Sequence, residues 1–249
     1  MNLTRSMVAF FAAGVLFAAI GQTYSGLSYA TVASDKLDIY MPTGGSKPYP
    51  VIVWIHGGGF SSGSRTEANA SQLAGMFGRS GVAIVSIDYR LSGVAQWPAQ
   101  IQDCKAAIRW IRANAATYTF EPNRIGAAGG SAGGHLSSML GTAGGVGLDT
   151  LGTAIMDLEG TVGGNNQYSS KVQAVCDMYG PIDLLSLNDP CPQGNPTVST
   201  IDHDAAGSPE SALMGAMIQT IPDKTKMASP ITFVSTDDTP FLLVQGNRD

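Results

Sequence analysis

Residues 124–140, Arg-Ile-Gly-Ala-Ala-Gly-Gly-Ser-Ala-Gly-Gly-His-Leu-Ser-Ser-Met-Leu, decide the fold of this chain. Ile125–Ala128 predicts a short buried strand, and the apolar residues from Leu136 onward predict a helix. Between them, residues 129–133 match G-x-S-x-G, in which a serine, here Ser131, lies on a strained turn from strand to helix. Glycine is 31 of 249 residues. With this composition, chance alone would produce the motif in about one chain in three. The strand before the motif and the helix after it make the match specific.

Composition limits what this serine can belong to. The chain is 44% hydrophobic over 249 residues, which suits one large α/β domain with a substantial core. The 14 Lys and Arg against 19 Asp and Glu give a net charge of −5 without a basic stripe, so nucleic-acid binding is not supported. No cysteine spacing or His/Asp cluster indicates a metal site.

Residues 1–21 have the composition of a signal peptide. Arg5 supplies a positive charge, residues 7–20 form an apolar run, and residues 19–21 place small residues at −3 and −1 of a cleavage site. The run is too short for a comfortable membrane span, and a retained membrane anchor is the alternative. We therefore expect a mature domain over residues 22–249 that is secreted or periplasmic, with no stable membrane insertion after cleavage.

Predicted strands and helices alternate along the chain. Residues 49–55 and 82–88 are nearly continuous apolar runs, which are typical of strands buried on both faces of a parallel sheet. Residues 97–118 carry an apolar residue every three or four positions, which predicts a helix. This alternation favours a mostly parallel sheet with helices on both faces. The other predicted elements are strands at Leu27–Ala33, Lys36–Met41 and Phe241–Gln245 and a helix at Gln72–Phe77.

The predicted strand at residues 49–55 continues directly into His56-Gly-Gly-Gly-Phe60. Three consecutive glycines expose backbone N–H groups without side chains in the way, which predicts a cradle for an anion. A flexible glycine turn is the alternative. His56 is interpreted as a residue that positions this loop by hydrogen bonding.

Several segments, taken in order, resemble one family. HGGGF at residues 56–60 and GGSAGG at residues 129–134 are its most specific part. The other matching segments are residues 36–42, 88–90, 98–116, 121–125, 172–184, 208–211, 228–232 and 240–249. Over nearly all residues after 27, the chain resembles the α/β-hydrolases of the hormone-sensitive-lipase-like esterase group, and among them the bacterial acetyl and feruloyl esterases. The resemblance implies the α/β-hydrolase fold, with a mostly parallel central sheet and a lid insertion at about residues 187–227.

The resemblance also implies an activity. The protein would be a secreted serine carboxylic-ester hydrolase acting on short-chain acyl, acetyl or feruloyl esters, with a small ester or an acylated polysaccharide as substrate and no cofactor. Ser131 would attack the ester carbonyl, and the backbone N–H groups of Gly58, Gly59 and Ala132 would bind the oxyanion. Asp249 matches the triad acid of the family, three residues after a glycine that follows a strand. A peptidase or amidase of this fold, and a non-catalytic binding protein of this fold, are the alternatives.

The triad base is not found in its expected place. The order in this fold is Ser, Asp, His, and no histidine follows Asp249. His135 is interpreted as a core residue of the helix after Ser131, and His203 would have to reach the serine from the lid. We therefore expect a C-terminally truncated chain that lacks the last strand and the histidine loop and is weakly active or inactive.

One acidic residue and the cysteines allow structural interpretations. Asp183 is read as the N-cap of a short helix at residues 184–187 rather than as a catalytic acid. Cys104 is expected to be a buried free thiol. A disulfide between Cys176 and Cys191 stays open, because Cys176 lies within a predicted strand.

Overall fold

A computed structural model describes residues 23–189 and 201–246; the predicted signal peptide, Cys191 and Asp249 lie outside these ranges. The strands are Tyr24–Ser28 (β1), Lys36–Tyr40 (β2), Tyr49–Ile55 (β3), Ala83–Ile87 (β4), Phe120–Gly130 (β5), Leu148–Leu151 (β6), Ala154–Asp157 (β7), Ala174–Met178 (β8) and Phe241–Val244 (β9). The α-helices are Ala68–Phe77 (α1), Ala99–Ala113 (α2), Ala115–Tyr118 (α3), Ala132–Thr142 (α4), Pro209–Met214 (α5) and Pro222–Lys226 (α6).

Seven strands form the central sheet in the order β1-β2-β4-β3-β5-β8-β9, and β6 and β7 form a separate hairpin. The pairs from β4 to β9 are parallel, whereas β1 with β2 and β2 with β4 are antiparallel. The predicted mostly parallel sheet is therefore confirmed, with an antiparallel edge of two strands. Because the carboxyl ends of parallel strands meet at one edge, the loops after β3, β5 and β8 lie side by side.

Alternation along the buried strands divides the core between the two faces of the sheet. On β3, Val53 and Ile55 belong to a large cluster that also contains α2 and α4, whereas Trp54 belongs to a smaller cluster with Ala70 and Ala74 of α1. Side chains of a strand point alternately to opposite faces, so the two clusters mark the two layers of helices. The continuous apolar runs in the sequence follow from this double coverage.

Helix α2 departs from the amphipathic helix that its periodicity predicts, because charged residues on it are buried as well. Lys105 and Arg109 are both almost inaccessible to solvent, and both pair with Glu159. The Lys105 Nζ atom lies 3.3 Å from Glu159 Oε2, and burial lowers the pKa of this lysine to about 8. We call Lys105, Arg109 and Glu159 the α2 flank. It attaches the chain between α4 and β8 to α2.

The segment between α4 and β8 contains the β6–β7 hairpin. The tip of the hairpin contacts α6. The backbone N–H and the hydroxyl of Thr153 both donate to Asp223 Oδ2, at 2.9 and 3.1 Å. The hairpin therefore bridges the α2 flank and the region predicted as the lid.

Two predicted elements need correction. The first strand lies at Tyr24–Ser28 rather than Leu27–Ala33, because the chain turns back toward β2 when the N–H of Tyr29 donates to the carbonyl of Asp35. The predicted helix at residues 184–187 is not formed; these residues make turns. Asp183 Oδ1 accepts the N–H of Leu185 at 3.1 Å, as a cap would, and the N–H of Leu184 donates to Ser229 Oγ at 3.1 Å, but no helix follows.

Within residues 23–189 and 201–246, no helix has the length and apolarity that a membrane crossing requires. In the same part of the chain, no group of three His, Cys, Asp or Glu residues is placed to hold a metal ion. Cys104 is a buried free thiol, as predicted, and Cys176 is a free thiol as well.

Candidate active site

Ser131 lies on the turn between β5 and α4, at the edge where the carboxyl ends of the parallel strands meet. Its backbone has φ 55° and ψ −123°, a region that residues with a side chain rarely occupy. Two hydrogen bonds hold the turn: the N–H of Ser131 donates to the Met178 carbonyl at 2.9 Å, and its carbonyl accepts from the N–H of His135 at 3.0 Å. Backbone strain of this kind persists only where the surroundings fix it, and it concentrates at functional sites.

The glycines around Ser131 are required by contact with neighbouring backbone. A Cβ built at Gly133 would lie 2.0 Å from the Ile55 carbonyl oxygen, and a Cβ built at Gly129 would lie 2.4 Å from Gly133. Neither glycine has a positive φ, so glycine is needed at these positions for its small size and not for its backbone freedom. Helix α4 therefore starts in direct contact with the ends of β3 and β5, and this contact aims Ser131 out of the sheet.

The glycine loop after β3 passes beside Ser131. A Cβ built at Gly57 would lie 3.6 Å from Ser131 Cβ. Gly58 and Gly59 have φ values of 104° and 58°, which glycine adopts readily. The Gly58 carbonyl oxygen turns away from the serine to accept the N–H groups of Ser61 and Ser62, both at 3.1 Å.

The predicted anion donors are available for a ligand. Within the described residues, the N–H groups of Gly58 and Gly59 make no hydrogen bond. Ala132 is the first residue of α4, where a backbone N–H has no partner inside its own helix. A loop with free N–H groups and a helix N-terminus therefore both border Ser131, which is an arrangement suited to a developing negative charge.

Two of the three histidines are buried and bind a backbone carbonyl through Nδ1. His56 is buried, its Nδ1 bonds with the Gly57 carbonyl at 2.8 Å, and its ring stacks on Tyr89 at 4.3 Å. His135 is fully buried with Nδ1 on the Pro181 carbonyl at 2.7 Å, and burial lowers its pKa to about 4. The prediction that His56 positions its loop and the prediction that His135 is a core residue agree with these contacts.

The third histidine has an acidic partner that the sequence did not indicate. His203 Nδ1 lies 3.0 Å from Oε2 of Glu210, a carboxylate buried at the start of α5. Asp202 and Asp204 flank His203 in the sequence, but the Nδ1 partner is Glu210, seven positions away. Pro209, next to Glu210, contacts the glycine loop: a Cβ built at Gly59 would lie 3.4 Å from Pro209 Cβ. Helix α5 therefore packs on the loop beside Ser131.

A turn after β8 was also not recognised as part of the site. Asp177 is buried, and its carboxylate accepts Ser138 Oγ of α4 at 2.5 Å and the N–H of Gly180 at 2.8 Å. Tyr179, inside this turn, has φ 50°. Its hydroxyl lies next to the turn at residues 129–133, which we call the Ser131 elbow, since a Cβ built at Gly130 would lie 2.8 Å from it. A positive φ cannot be read from a tyrosine in a sequence, so no signal pointed to this residue.

The family assignment agrees with this geometry. A profile of the BD-FAE family matches residues 37–249. The chain belongs to the BD-FAE family. The match spans the glycine loop and the Ser131 elbow, so the BD-FAE region of the chain carries every part of the site described above.

Curated relatives of this BD-FAE chain are named esterases. Esterase LipC of Mycobacterium tuberculosis is 31% identical over 225 residues, which cover 89% of this chain and 50% of LipC. Carboxylesterase NlhH of the same species is 39% identical over 114 residues, covering 46% of this chain and 35% of NlhH. The chain thus spans half or less of the length of these relatives.

Solved structures give the same picture of the fold. A structure described as a truncated form of a carbohydrate esterase from gut microbiota is 34% identical, with a TM-score of 0.82, over 92% of this chain and 78% of its own. A bifunctional GH43-CE protein of Bacteroides eggerthii is 38% identical, with a TM-score of 0.75, over 88% of this chain and 30% of its own. The α/β-hydrolase fold predicted for the BD-FAE chain is therefore confirmed.

The structure brings most of the predicted site residues together. Ser131, Ala132 and the loop of Gly58 and Gly59 are neighbours at one edge of the sheet. Asp249 lies outside the described residues. The strand before it, β9, pairs with β8, so the described chain ends on the β8 side of Ser131.

Proposed function

We propose that this BD-FAE protein is a secreted or periplasmic serine carboxylic-ester hydrolase acting on short-chain acyl, acetyl or feruloyl esters. One observation carries the proposal: a strained Ser131 beside a glycine loop whose N–H groups have no partner within the described residues. The names of the relatives, carboxylesterase and carbohydrate esterase, support an ester as substrate. Residues 1–21 as signal peptide and residues 22–249 as catalytic domain complete the proposal.

The first half of the reaction forms an acyl-enzyme. Ser131 Oγ attacks the ester carbonyl carbon while a base removes its proton, because a neutral serine hydroxyl is a weak nucleophile. The carbonyl oxygen becomes an oxyanion held by the N–H groups of Gly58, Gly59 and Ala132. Deleting one such donor costs about 3 kcal/mol of barrier in other hydrolases. The intermediate then expels the alcohol, which takes the proton back from the base.

The second half releases the acid. Water attacks the acyl group on Ser131 Oγ with the same base, the same N–H groups hold the second oxyanion, and Ser131 recovers its proton. Asp249 is proposed to orient the base, a histidine supplied from outside residues 1–249. Support for an external histidine comes from His56 and His135, each of which has its Nδ1 bound to a backbone carbonyl.

Two comparisons test the proposal. Kinetics of residues 22–249, and of a version extended by the C-terminal sequence of its gene, are measured on short-chain aryl esters and matched anilides. In the extended protein, Ser131→Ala should lower kcat/KM by at least about 10³-fold. Ser71→Ala, a matched change on the outer helix α1, should leave it unchanged.

The outcomes separate the remaining hypotheses. We expect only marginal turnover by residues 22–249 and an increase of orders of magnitude on extension. Full activity of the Ser131→Ala variant contradicts the nucleophile. Hydrolysis of anilides as fast as esters favours a peptidase or amidase, and an extended protein that binds esters without turnover favours a binding protein.

A further inference from the structure

Tyr179 is an exposed aromatic residue at the elbow. The residue is 51% exposed, although its hydroxyl lies close to Gly130, the residue before Ser131. It directly follows β8, at the edge of the sheet where Ser131 lies. An aromatic side chain that is left open to solvent beside a nucleophile is placed to contact whatever the nucleophile reacts with.

The turn that carries Tyr179 is rigid. The N–H of Tyr179 donates to the Val244 carbonyl of β9 at 2.8 Å, and the next N–H, of Gly180, donates to the buried carboxylate of Asp177. Gly180 itself is packed on α4, since a Cβ there would lie 2.4 Å from the His135 nitrogen. These contacts hold Tyr179 at a φ of 50°, which a residue with a side chain adopts only where its surroundings impose it.

The strand order defines which part of a substrate faces Tyr179. Strand β5, which ends at Gly130, lies between β3 and β8. The glycine loop follows β3, so the carbonyl oxygen of a bound ester points to the β3 side. Tyr179 is on the opposite, β8 side, and the strand leading to the proposed acid, β9, is on that side too. The base of a serine hydrolase protonates the leaving alcohol, so the alcohol part of the ester faces the β8 side.

We propose that Tyr179 contacts the alcohol part of the ester and thereby favours esters whose alcohol is a sugar ring over esters of small alkyl alcohols. This inference rests on the proposed function and names a specificity-determining residue of the same site. A tyrosine presents an apolar ring face and one polar tip, which matches the C–H face and the hydroxyl groups of a pyranose. A small alkyl alcohol would leave the ring face largely uncovered.

The test uses two acetate esters that differ only in their alcohol: an acetylated xylo-oligosaccharide and ethyl acetate. In the extended protein, Tyr179→Ala should raise KM for the oligosaccharide about fivefold to tenfold, the effect of one lost aromatic contact, with kcat nearly unchanged. For ethyl acetate, kcat/KM should stay within about twofold. Tyr179→Phe keeps the ring and loses only the hydroxyl, so its KM for the oligosaccharide should rise less than that of Tyr179→Ala. An equal loss on both substrates indicates a structural role and overturns the inference.

Binding to a turnover-deficient chain separates this inference from the proposed function. In the Ser131→Ala background, calorimetry should show the acetylated xylo-oligosaccharide binding about fivefold to tenfold more weakly after Tyr179→Ala. Tyr168→Ala removes a tyrosine that is also partly exposed, in the segment after β7, and should have no effect. Equal binding with and without the Tyr179 ring overturns the inference. Tyr179-dependent binding without Ser131-dependent hydrolysis contradicts the proposed function alone.

Discussion

The Ser131 elbow and the α2 flank are both buried against the same sheet, but opposite means hold them in place. At the elbow, backbone packs on backbone, and a single Cβ at Gly133 would come within 2.0 Å of a carbonyl oxygen. At the flank, two buried cations, Lys105 and Arg109, share the carboxylate of Glu159. The structure of the elbow thus depends on residues that have no side chain. The flank depends on paired charges, and removing one of them would lower the free energy of unfolding, because its partners would stay buried without a counter-charge.

The comparison predicts the largest effect at Gly133. Alanine is the better helix former by about 1 kcal/mol, yet Gly133→Ala should destabilise the protein by more than about 4 kcal/mol, because the methyl group would overlap the Ile55 carbonyl. Thermal unfolding followed by circular dichroism should show a melting temperature lower by at least about 8 °C. Gly93→Ala is the matched control, since a Cβ there has no neighbour within 4 Å. Similar melting of the two variants would contradict the steric account of the elbow.

The flank should respond less strongly, to a change of charge at constant size. Glu159→Gln leaves Lys105 and Arg109 buried without their carboxylate and should cost about 3 kcal/mol, the low end for a broken buried pair. The low end applies because the Glu159 side chain is itself 27% exposed. Urea unfolding measures this loss, with Asp237→Asn on the exposed surface as control. A loss as small as that of the control would show that the flank is held by packing alone.

The smallest effect is expected at Asp35, a second buried charge beside α2. Burial, and next the nearby charge of Asp103, raise the pKa of Asp35 to about 7. The folded state therefore binds the proton more tightly than the unfolded chain, so this stability is complete below about pH 4 and is lost as pH rises through 7. Asp35→Asn should be more stable than the unchanged protein at pH 7.5 by about 1–2 kcal/mol, and less so at pH 4.5.

Denaturant unfolding of both proteins between pH 4.5 and 7.5 gives the difference directly. A constant difference across this range would place the Asp35 carboxyl in an environment like that of water. In that case, the buried charges that affect the free energy of unfolding beside α2 would be those of Glu159 and its two partners.

The fold could be predicted from the sequence because its signals are local. The buried run at Tyr49–Ile55 became a strand with the same bounds, and the motif around Ser131 became a turn from strand to helix. In both stretches, a few consecutive residues contain all the information: apolar side chains for two covered faces, and glycines where no Cβ fits. Boundaries were less certain where the partner of a segment decided them, as for β1.

The parts of the site that were missed depend on residues far apart in the chain. Glu210 resembles any acid at the start of a helix until His203 is placed beside it, and Tyr179 resembles any strand-end tyrosine until its turn is built on Asp177. Likewise, Arg109 and Glu159 are 50 positions apart. The sequence pattern of one segment does not show which distant residue will become a partner. A steric requirement such as that at Gly133 can be predicted, because it determines the residue type at that position.

The β6–β7 hairpin has a consequence for how this family can change in evolution. It lies between α4 and β8, but the parallel pairing of β5 with β8 does not pass through it. Its attachments include the flank at Glu159, the contact of Thr153 with Asp223 and the hydrogen bond from Gln102 Nε2 to the Asp157 carbonyl. Insertions and deletions among homologues should therefore accumulate at Leu148–Asp157, where the length of the chain can vary without shifting the register of the strand that presents Ser131.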